Sequence, residues 1–335
     1  MAPLHFLQGV TRLRKLITAA LFRPMRVSIE HKNTIQIGAF LDNISLTFHH
    51  KMGMPIPYFF RMLVDFTQAE NPLGDSGDLP EIEVLIPCTT KDFEILPYSL
   101  KSVLENSLNP ISKVVLVTPE RFLVEAKQRF PDLKVATDEQ VLGSQVIEQV
   151  VKSVPLSRRG WTLQQLIKMS YSRNSKAAGV LLWDADTILA KPTTWINSAE
   201  TQILMFSHEY HLPYVRNAEN YWEVAGKSRG MSFVTHHQLM QPKVLKEMFP
   251  RGKQSIIEWI ESCDWSTGSA FSEYHSYGTW ISNRYPQQVI IGVWGNQSDT
   301  RSNFLKGISL YKSVENWSST KHPGARSISL HDYLN

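Results

Sequence analysis

One stretch of the chain, from Val180 to Leu189, limits the fold more than any other. The apolar residues from Val180 to Trp183 lead directly into Asp184 and Asp186. Consecutive apolar residues predict a strand buried on both faces, which is typical of a parallel sheet. Because Asp is a poor strand former, we expect both carboxylates at or just beyond the carboxyl end of this strand. Ligands bind at that edge in open α/β sheets.

Paired carboxylates at such an edge suit a hard divalent cation such as Mg²⁺ or Mn²⁺, which can in turn hold a diphosphate. Asp is also common in turns and at helix N-caps, so Asp184 and Asp186 by themselves leave a purely structural role open. The segments around them are needed to choose between the two.

Strand and helix patterns alternate along the chain. Strand patterns before the carboxylates occupy residues 82–87, 113–118 and 133–136, with helical patterns between them. This alternation predicts βαβ units and a parallel sheet in which the strand before Asp184 is about the fourth. Further strands are expected at 202–206 and 232–235. No GxGxxG or GxxxxGK[ST] pattern occurs, which excludes the common dinucleotide-binding and P-loop interpretations.

The composition predicts a folded protein with one large domain, or one domain and an extension. The chain has 335 residues, is 42% hydrophobic and carries a net charge of +4, which does not indicate nucleic acid as a partner. Cys88 and Cys263 form neither a disulfide framework nor a zinc spacing, which favours a reducing compartment. Neither a run of 18 apolar residues nor a secretory signal pattern is found, so a cytoplasmic location is expected.

Residues 1–79 differ from the rest. Apolar residues between Phe6 and Leu21 recur at helical spacing with basic residues among them. A basic amphipathic helix can make peripheral contact with an anionic membrane, here at its inner face, or it can pack on its own domain. The stretch 71–80 is rich in Asn, Pro, Gly, Asp and Ser and marks a boundary. We therefore predict an N-terminal extension at 1–79 and one α/β domain at 80–335.

Three other motifs carry polar groups with two interpretations each. Thr89 and Asp92 follow the first strand, where they can contact a base or ribose, or cap the next helix. Lys168 lies on a helix that precedes the central strand and can offset the charge of a diphosphate or belong to a solvated face. Ser272 suits an N-cap, with Glu273 in the first helical turn. Glu273 can complement the helix dipole or act as a general base.

The order of these motifs resembles GT-A-type glycosyltransferases, in particular the bacterial DUF6492-like family of predicted glycosyltransferases. The resemblance runs from Glu81 to the C-terminus. It is carried by five segments, which are VLIPCTTKD (84–92), GWTLQQLIK (160–168), LWDADT (182–187), SFVTHH (232–237) and FSEYHSYG (271–278). It implies a GT-A-like nucleotide-diphospho-sugar transferase fold, with a mostly parallel central sheet flanked by helices.

The resemblance also implies a metal-dependent transfer of sugar from a nucleotide-sugar donor to a hydroxyl of a carbohydrate or glycoconjugate acceptor, as in surface polysaccharide synthesis. Asp184 and Asp186 would bind Mn²⁺ or Mg²⁺, Asp184 also the donor. His331 is our choice for a third ligand, although no local pattern separates it from His322. The remaining implied donor-site residues are Thr89, Asp92, Gln165 and Lys168. The implied acceptor-site residues are His236, Tyr274 and Glu273, the last as catalytic base.

Two other function classes fit part of the pattern. An apolar strand followed by Asp184 and Asp186 resembles the aspartyl-nucleophile motif of haloacid-dehalogenase-type phosphatases, in which the first Asp attacks phosphate. That family opens its domain with this strand and later supplies an acidic pair, whereas Asp264 and Asp299 stand alone here. A non-catalytic nucleotide-sugar-binding protein is the other class, and the intact Asp184, Asp186 and Glu273 argue against it.

Overall fold

A computed structural model describes residues 78–207, 211–222, 232–267, 269–293 and 295–331. The predicted amphipathic helix, nearly all of the predicted extension and most of the predicted boundary therefore lie outside the described residues. Within the described ranges, no helix combines the length and the apolar character needed to cross a bilayer.

The main sheet has five strands in the order β3-β2-β1-β4-β7. Their bounds are β1 Ile82–Pro87, β2 Ile111–Thr118, β3 Lys134–Thr137, β4 Gly179–Trp183 and β7 His237–Met240. The first four run parallel, and β7 pairs antiparallel with β4. Every residue of β1 and β4 is buried, as their unbroken apolar sequences require. The predicted mostly parallel sheet is confirmed.

Eleven helices are found among the described residues. They are α1 Leu96–Asn106, α2 Leu123–Arg129, α3 Asp138–Leu142, α4 Ser144–Ser153, α5 Leu156–Asn174, α6 Leu212–Trp222, α7 Pro242–Met248, α8 Lys253–Ser262, α9 Glu273–Arg284, α10 Arg301–Tyr311 and α11 Val314–Lys321. They cover both faces of the main sheet. Leu182 of β4 packs in the core with residues of α5 and α9, while its neighbour Leu181 packs in the core with α1. Successive strand residues point to opposite faces, so a strand between two helical layers must be apolar throughout.

Two smaller sheets complete the fold. One has the order β5-β10-β9 and the other pairs β6 with β8. Their bounds are β5 Thr187–Leu189, β6 Gln202–Phe206, β8 Val289–Val293, β9 Asn296–Thr300 and β10 Ser327–His331. Strand β10 runs antiparallel to β5, with Ile328 opposite Ile188, and parallel to β9. The start of α10, directly after β9, and the end of β10 are thereby brought to the residues that precede β5.

The strands predicted at 82–87, 113–118, 133–136 and 202–206 are confirmed, but the strand predicted at 232–235 is wrong. Ser232 makes only an isolated bridge to Ser207. Beyond it, the hydroxyl of Thr235 donates to the backbone carbonyl of His237 at 2.6 Å. This local side-chain bond favours a turn, and the strand begins only at His237, opposite Trp183 of β4.

The order of the parallel strands creates a crevice. From β1 the chain moves outward to β2 and β3, then returns to place β4 on the other side of β1. Helical connections diverge where the strand order reverses, and the crevice lies at the carboxyl ends of the two central strands. Those strands are β1 and β4, which lead into Asp92 and into Asp184 and Asp186.

Candidate functional site

The two carboxylates of the Asp-X-Asp motif lie between the main sheet and the β5-β10-β9 sheet, as predicted, just beyond β4. The backbone N–H of Asp184 donates to the carbonyl of His236 at 3.0 Å, in line with the β4–β7 pairing. The N–H of Leu330 donates to the carbonyl of Asp186 at 2.8 Å. The backbone of this short link is therefore held from both sides, which restricts the directions in which its carboxylates can point.

Lys168, from the middle of α5, is the cation at the centre of a buried network. Its Nζ lies 2.8 Å from Oδ1 of Asp184, 2.9 Å from Oε1 of Glu273 and 2.9 Å from the hydroxyl of Tyr274. Only 2% of its side chain is exposed. Burial acts to lower the pKa of Lys168, but Asp184 and Glu273 outweigh it and raise this pKa well above the ordinary value of 10.5. Lys168 is a fixed cation and not part of a solvated helix face.

The first turn of α9 packs against α5 at this network. The hydroxyl of Ser272 accepts from the backbone N–H of His275 at 3.3 Å, so the predicted N-cap is confirmed. The N–H of Glu273 donates to Oε1 of Gln165 at 3.1 Å. Gln165 thus anchors the backbone of α9, one helical turn before Lys168 binds the side chain of Glu273.

The carboxylate of Glu273 is wholly buried. Its Oε2 has no hydrogen-bond partner among the described residues. Burial raises the pKa of Glu273 above its ordinary value of 4.5, although Lys168 opposes the shift. Tyr274 is 4% exposed, and its hydroxyl also lies 3.3 Å from Oδ1 of Asp184. Glu273, predicted as acceptor base, and Tyr274, predicted as acceptor contact, are thus both buried within the network around Lys168.

The second oxygen of Asp184 faces the histidines of the crevice. Oδ2 of Asp184 lies 3.1 Å from Nδ1 of His236, whose side chain is 26% exposed. Burial acts to raise the pKa of Asp184, but the cation of Lys168, joined by His236, outweighs it and holds this pKa well below its usual range. His236 is therefore the one predicted acceptor-site residue that the structure places on the accessible side of Asp184.

His331 and His322, the two candidates for a third metal ligand, have different surroundings. Nδ1 and Nε2 of His322 lie 2.9 Å from Oε1 of Gln297 and 3.0 Å from Oδ2 of Asp299. Both nitrogens of His322 are thus engaged within the part of the chain around β9. The ring of His331 lies with its centroid 5.4 Å from that of His236. The structure brings His331, and not His322, to the crevice.

Arg301, the first residue of α10, was missed by the sequence analysis. Its Nη2 lies 2.6 Å from Oδ1 of Asp92 and 3.3 Å from Oδ2 of Asp186. Its Nη1 and Nε donate to the backbone carbonyls of Lys91 and Leu330, at 2.6 and 3.3 Å. A cation in the first turn of a helix is disfavoured by the helix dipole. The sequence signal that was available is an Arg directly after Thr300, a residue type that favours helix N-caps and caps α10 in the structure.

Thr89 and Asp92, predicted to lie near a base or ribose, are placed at the carboxyl end of β1. The N–H of Thr89 lies 3.4 Å from Oδ2 of Asp92, and the side chain of Asp92 is largely covered by Arg301. Asp92 thus supports the loop and fixes Arg301. Thr89 is half-buried at the same end of β1.

The side chains in the crevice that could act as metal ligands suit a divalent cation. Carboxylates and imidazole are common ligands of Mn²⁺, and Mg²⁺ prefers the oxygens. The network holds more carboxylates than fixed cations. The carboxylates are Asp92, Asp184, Asp186 and Glu273, and the fixed cations are Lys168 and Arg301. Burial and then the charge of Asp184 raise the pKa of Asp186. A positive charge next to a carboxylate acts on its pKa in the opposite direction.

The present side-chain positions do not form a finished metal site. Among the residues that the structure describes, no three His, Cys, Asp or Glu side chains gather around a common position. Oδ1 of Asp184 is occupied by Lys168 and Oδ2 of Asp186 by Arg301. A cation bound by Asp186 would therefore lie beside the guanidinium of Arg301.

Comparison with known proteins finds similarity to solved glycosyltransferase structures. Mouse xyloside xylosyltransferase 1 in its apo form is similar over 76% of this chain and 99% of that chain, at 12% identity and a TM-score of 0.40. The galactosyltransferase LgtC, in complex with donor and acceptor sugar analogs, is similar over 74% of this chain and 86% of that chain, at 13% identity and a TM-score of 0.38. No protein-family model and no curated protein sequence matches the chain. Likenesses of this extent leave the function to be argued from the site.

Proposed function

We propose that the protein is a metal-dependent glycosyltransferase that moves a sugar from a nucleotide-sugar donor to a hydroxyl of a carbohydrate or glycoconjugate acceptor. Surface polysaccharide synthesis is the process to which the motif resemblance points. The observation that carries the proposal is the position of Asp184 and Asp186. They lie at the carboxyl end of β4, beside the end of β1, where the strand order reverses and the crevice also receives His236 and His331.

The residue types in the crevice match the chemical needs of sugar transfer. Breaking the bond to the donor sugar places negative charge on the departing nucleoside diphosphate, next to an oxocarbenium-like sugar. When bound by Asp184, Asp186 and His331, Mn²⁺ or Mg²⁺ would stabilise that charge. In this proposal Thr89, at the end of β1, contacts the nucleoside, and His236 meets the acceptor.

Lys168 and Glu273 act in this proposal through the orientation of Asp184. Lys168 holds one oxygen of Asp184 and leaves the other directed to the open side, near His236. Glu273 and Tyr274 hold Lys168 in turn. Pre-oriented carboxylates bind a cation or a ribose without first losing side-chain freedom, so this buried network favours ligand binding although it touches no ligand itself.

A thermal-shift screen tests the proposal. The purified chain is heated with nucleoside diphosphates and nucleotide sugars, with and without Mn²⁺. We expect one nucleotide class to raise the melting midpoint by about 5–10 °C at concentrations near 100 times its Kd, and only with the metal present. Donor hydrolysis, with water replacing the unknown acceptor, is then measured as release of the nucleoside diphosphate from the same nucleotide sugar.

The variant for this screen is Asp186→Asn, with Asp132→Asn as its matched control. Asp132 is exposed in a turn, so its substitution removes one carboxylate without touching the crevice. Asp186→Asn should lose the metal-dependent shift and keep the melting midpoint of the free protein, and Asp132→Asn should keep both. No shift with any nucleotide would refute the proposal. Hydrolysis of p-nitrophenyl phosphate that depends on Asp184 would replace it with the phosphatase interpretation.

A further inference from the structure

Arg301 is shared unequally between two carboxylates of the crevice. Its Nη2 lies 2.6 Å from Asp92 and 3.3 Å from Asp186, and its side chain is only 11% exposed. The shorter bond, together with the bond from Nη1 to the carbonyl of Lys91, fixes the guanidinium to the loop after β1. The contact with Asp186 is the weaker one, so Asp186 is the partner that can be taken by another cation.

A divalent cation and Arg301 make opposing demands on Asp186. Both are attracted to its carboxylate, and each adds positive charge at the same place. Because the side chains of Arg301 and Asp186 are only 11% and 24% exposed, the repulsion between Arg301 and the incoming ion is only partly screened by solvent. Arg301 therefore weakens the binding of a bare divalent cation to the Asp-X-Asp motif.

A nucleoside diphosphate reverses this balance. It brings negative oxygens that coordinate the cation and offset the charge of the guanidinium. We propose that Arg301 makes the site cooperative: it competes with the free divalent cation for Asp186 and so allows tight binding only when cation and nucleoside diphosphate arrive together. This inference rests on the proposed function, because it assumes that the crevice receives a nucleotide and a metal.

By the reciprocity of binding free energies, the diphosphate must strengthen binding of the cation by the same factor by which the cation strengthens binding of the diphosphate. The expected factor for the wild-type protein is about 5–150-fold, the usual range of coupling between two ligands. Arg301 is a positioning residue in this account, since it acts on the cation through its contact with Asp186 and takes no part in the chemical step.

The experiment measures Mn²⁺ binding by electron paramagnetic resonance, in which the signal of the free ion disappears on binding. The wild-type protein, Arg301→Gln and Lys306→Gln are titrated with Mn²⁺ alone, and again in the presence of uridine or guanosine diphosphate. Titrations without protein correct for binding of Mn²⁺ by the nucleotide. Lys306 is an exposed cation on the same helix, so its substitution removes the same charge at a distance from the crevice.

We expect Arg301→Gln to bind Mn²⁺ alone about tenfold more tightly than the wild-type protein and to show a smaller effect of the nucleotide. Lys306→Gln should match the wild type in both. A residue that merely holds the fold together would give the opposite sign, because its loss would loosen Asp186 and weaken Mn²⁺ binding. Unchanged or weaker binding of Mn²⁺ alone by Arg301→Gln would overturn the inference.

Arg301→Lys covers the case in which Arg301→Gln does not fold. A lysine keeps the charge but lacks the several N–H groups with which Arg301 binds Asp92, Asp186 and the carbonyl of Lys91 together. It should bind Mn²⁺ alone more tightly than the wild type by a smaller factor, about threefold, and equal or weaker binding would also overturn the inference.

The inference and the proposed function fail in different ways. Cooperative Mn²⁺ and nucleotide binding that Arg301→Gln leaves unchanged refutes the inference alone. Arg301→Gln could bind Mn²⁺ more tightly while the protein binds no nucleotide. That result would support competition between Arg301 and Mn²⁺ and would refute the proposed transferase function. A wild-type protein that binds no Mn²⁺ under either condition refutes the inference, while metal-free hydrolysis of a nucleotide sugar would still support transfer.

Discussion

Replacing Lys168 with methionine gives the strongest test of the buried network. Methionine fills similar space without a charge. In the wild-type protein, Nζ of Lys168 lies within 2.9 Å of the carboxylates of both Asp184 and Glu273, so Lys168→Met leaves these two carboxylates facing each other. Removing one partner of a buried ion pair typically destabilises a protein by about 3–5 kcal/mol. Because two carboxylates and the hydroxyl of Tyr274 lose the same partner, we expect the upper part of that range.

The assay is urea unfolding at pH 7 and at pH 5, with Lys176→Met as control. Lys176 is exposed just beyond α5, and its loss should change the free energy of unfolding by less than about 0.5 kcal/mol. Lys168 acts to lower the pKa of both Asp184 and Glu273. In the variant both carboxyl groups therefore take up protons at a higher pH, and the folded variant gains stability relative to the wild type as pH falls.

The destabilisation by Lys168→Met should thus be largest at pH 7 and smaller at pH 5. The double variant Lys168→Met/Glu273→Gln removes one of the two carboxylates that Lys168→Met leaves without a cation. The stability lost by the double variant should be smaller than the sum of the stabilities lost by the two single variants, by about 1–3 kcal/mol. A destabilisation below about 1 kcal/mol at pH 7, or one that grows on acidification, would refute the description of Lys168 as the cation that neutralises this network.

Three further predictions concern single residues. His331→Ala should weaken Mn²⁺ binding in the presence of nucleotide by at least about tenfold, whereas His322→Ala should leave that affinity unchanged and lower stability by about 1–2 kcal/mol, since His322 holds buried polar partners. Glu273→Gln should lower kcat by about tenfold with little change in donor Kd, because Glu273 acts through Lys168. A loss of about 10²–10⁴-fold in kcat would instead support the base role predicted from the sequence. Gly278→Ala should destabilise the fold by about 1–3 kcal/mol in thermal unfolding, because a Cβ at Gly278 would lie 2.4 Å from the ring of Phe233, and a variant as stable as the wild type would contradict that packing.

The sequence was sufficient to predict the four parallel strands of the main sheet, because its information there is local. The apolar run before Asp184 and the alternation of strands with helices both follow from burial on two faces. The strand at His237 was misplaced because Ser-Phe-Val-Thr has good strand propensity, while the turn that displaces it depends on the hydroxyl of Thr235 meeting a carbonyl. Such a contact is not encoded in periodicity.

The candidate site could be predicted only in part for a related reason. Asp184 and Asp186 are recognised by their position after a strand. Lys168 looked like one polar residue among several on a helix, and only the packing of α5 against α9 shows it buried beside Glu273. Arg301 lies 115 residues after Asp186 and 209 residues after Asp92 in the chain. Their contacts depend on the β5-β10-β9 sheet, and no local pattern records them.

The link between β4 and β5 has a consequence for how this chain can change. The three residues from Asp184 to Asp186 join a strand of one sheet directly to a strand of another. Inserting one residue there would shift β5 by one place along β10 and turn the buried Ile188 to the opposite face. The spacing of the two carboxylates is therefore imposed by the registers of two sheets. We expect insertions and deletions to be tolerated in the surface loops of this protein, and to be rejected in this link even in a descendant that no longer used the carboxylates.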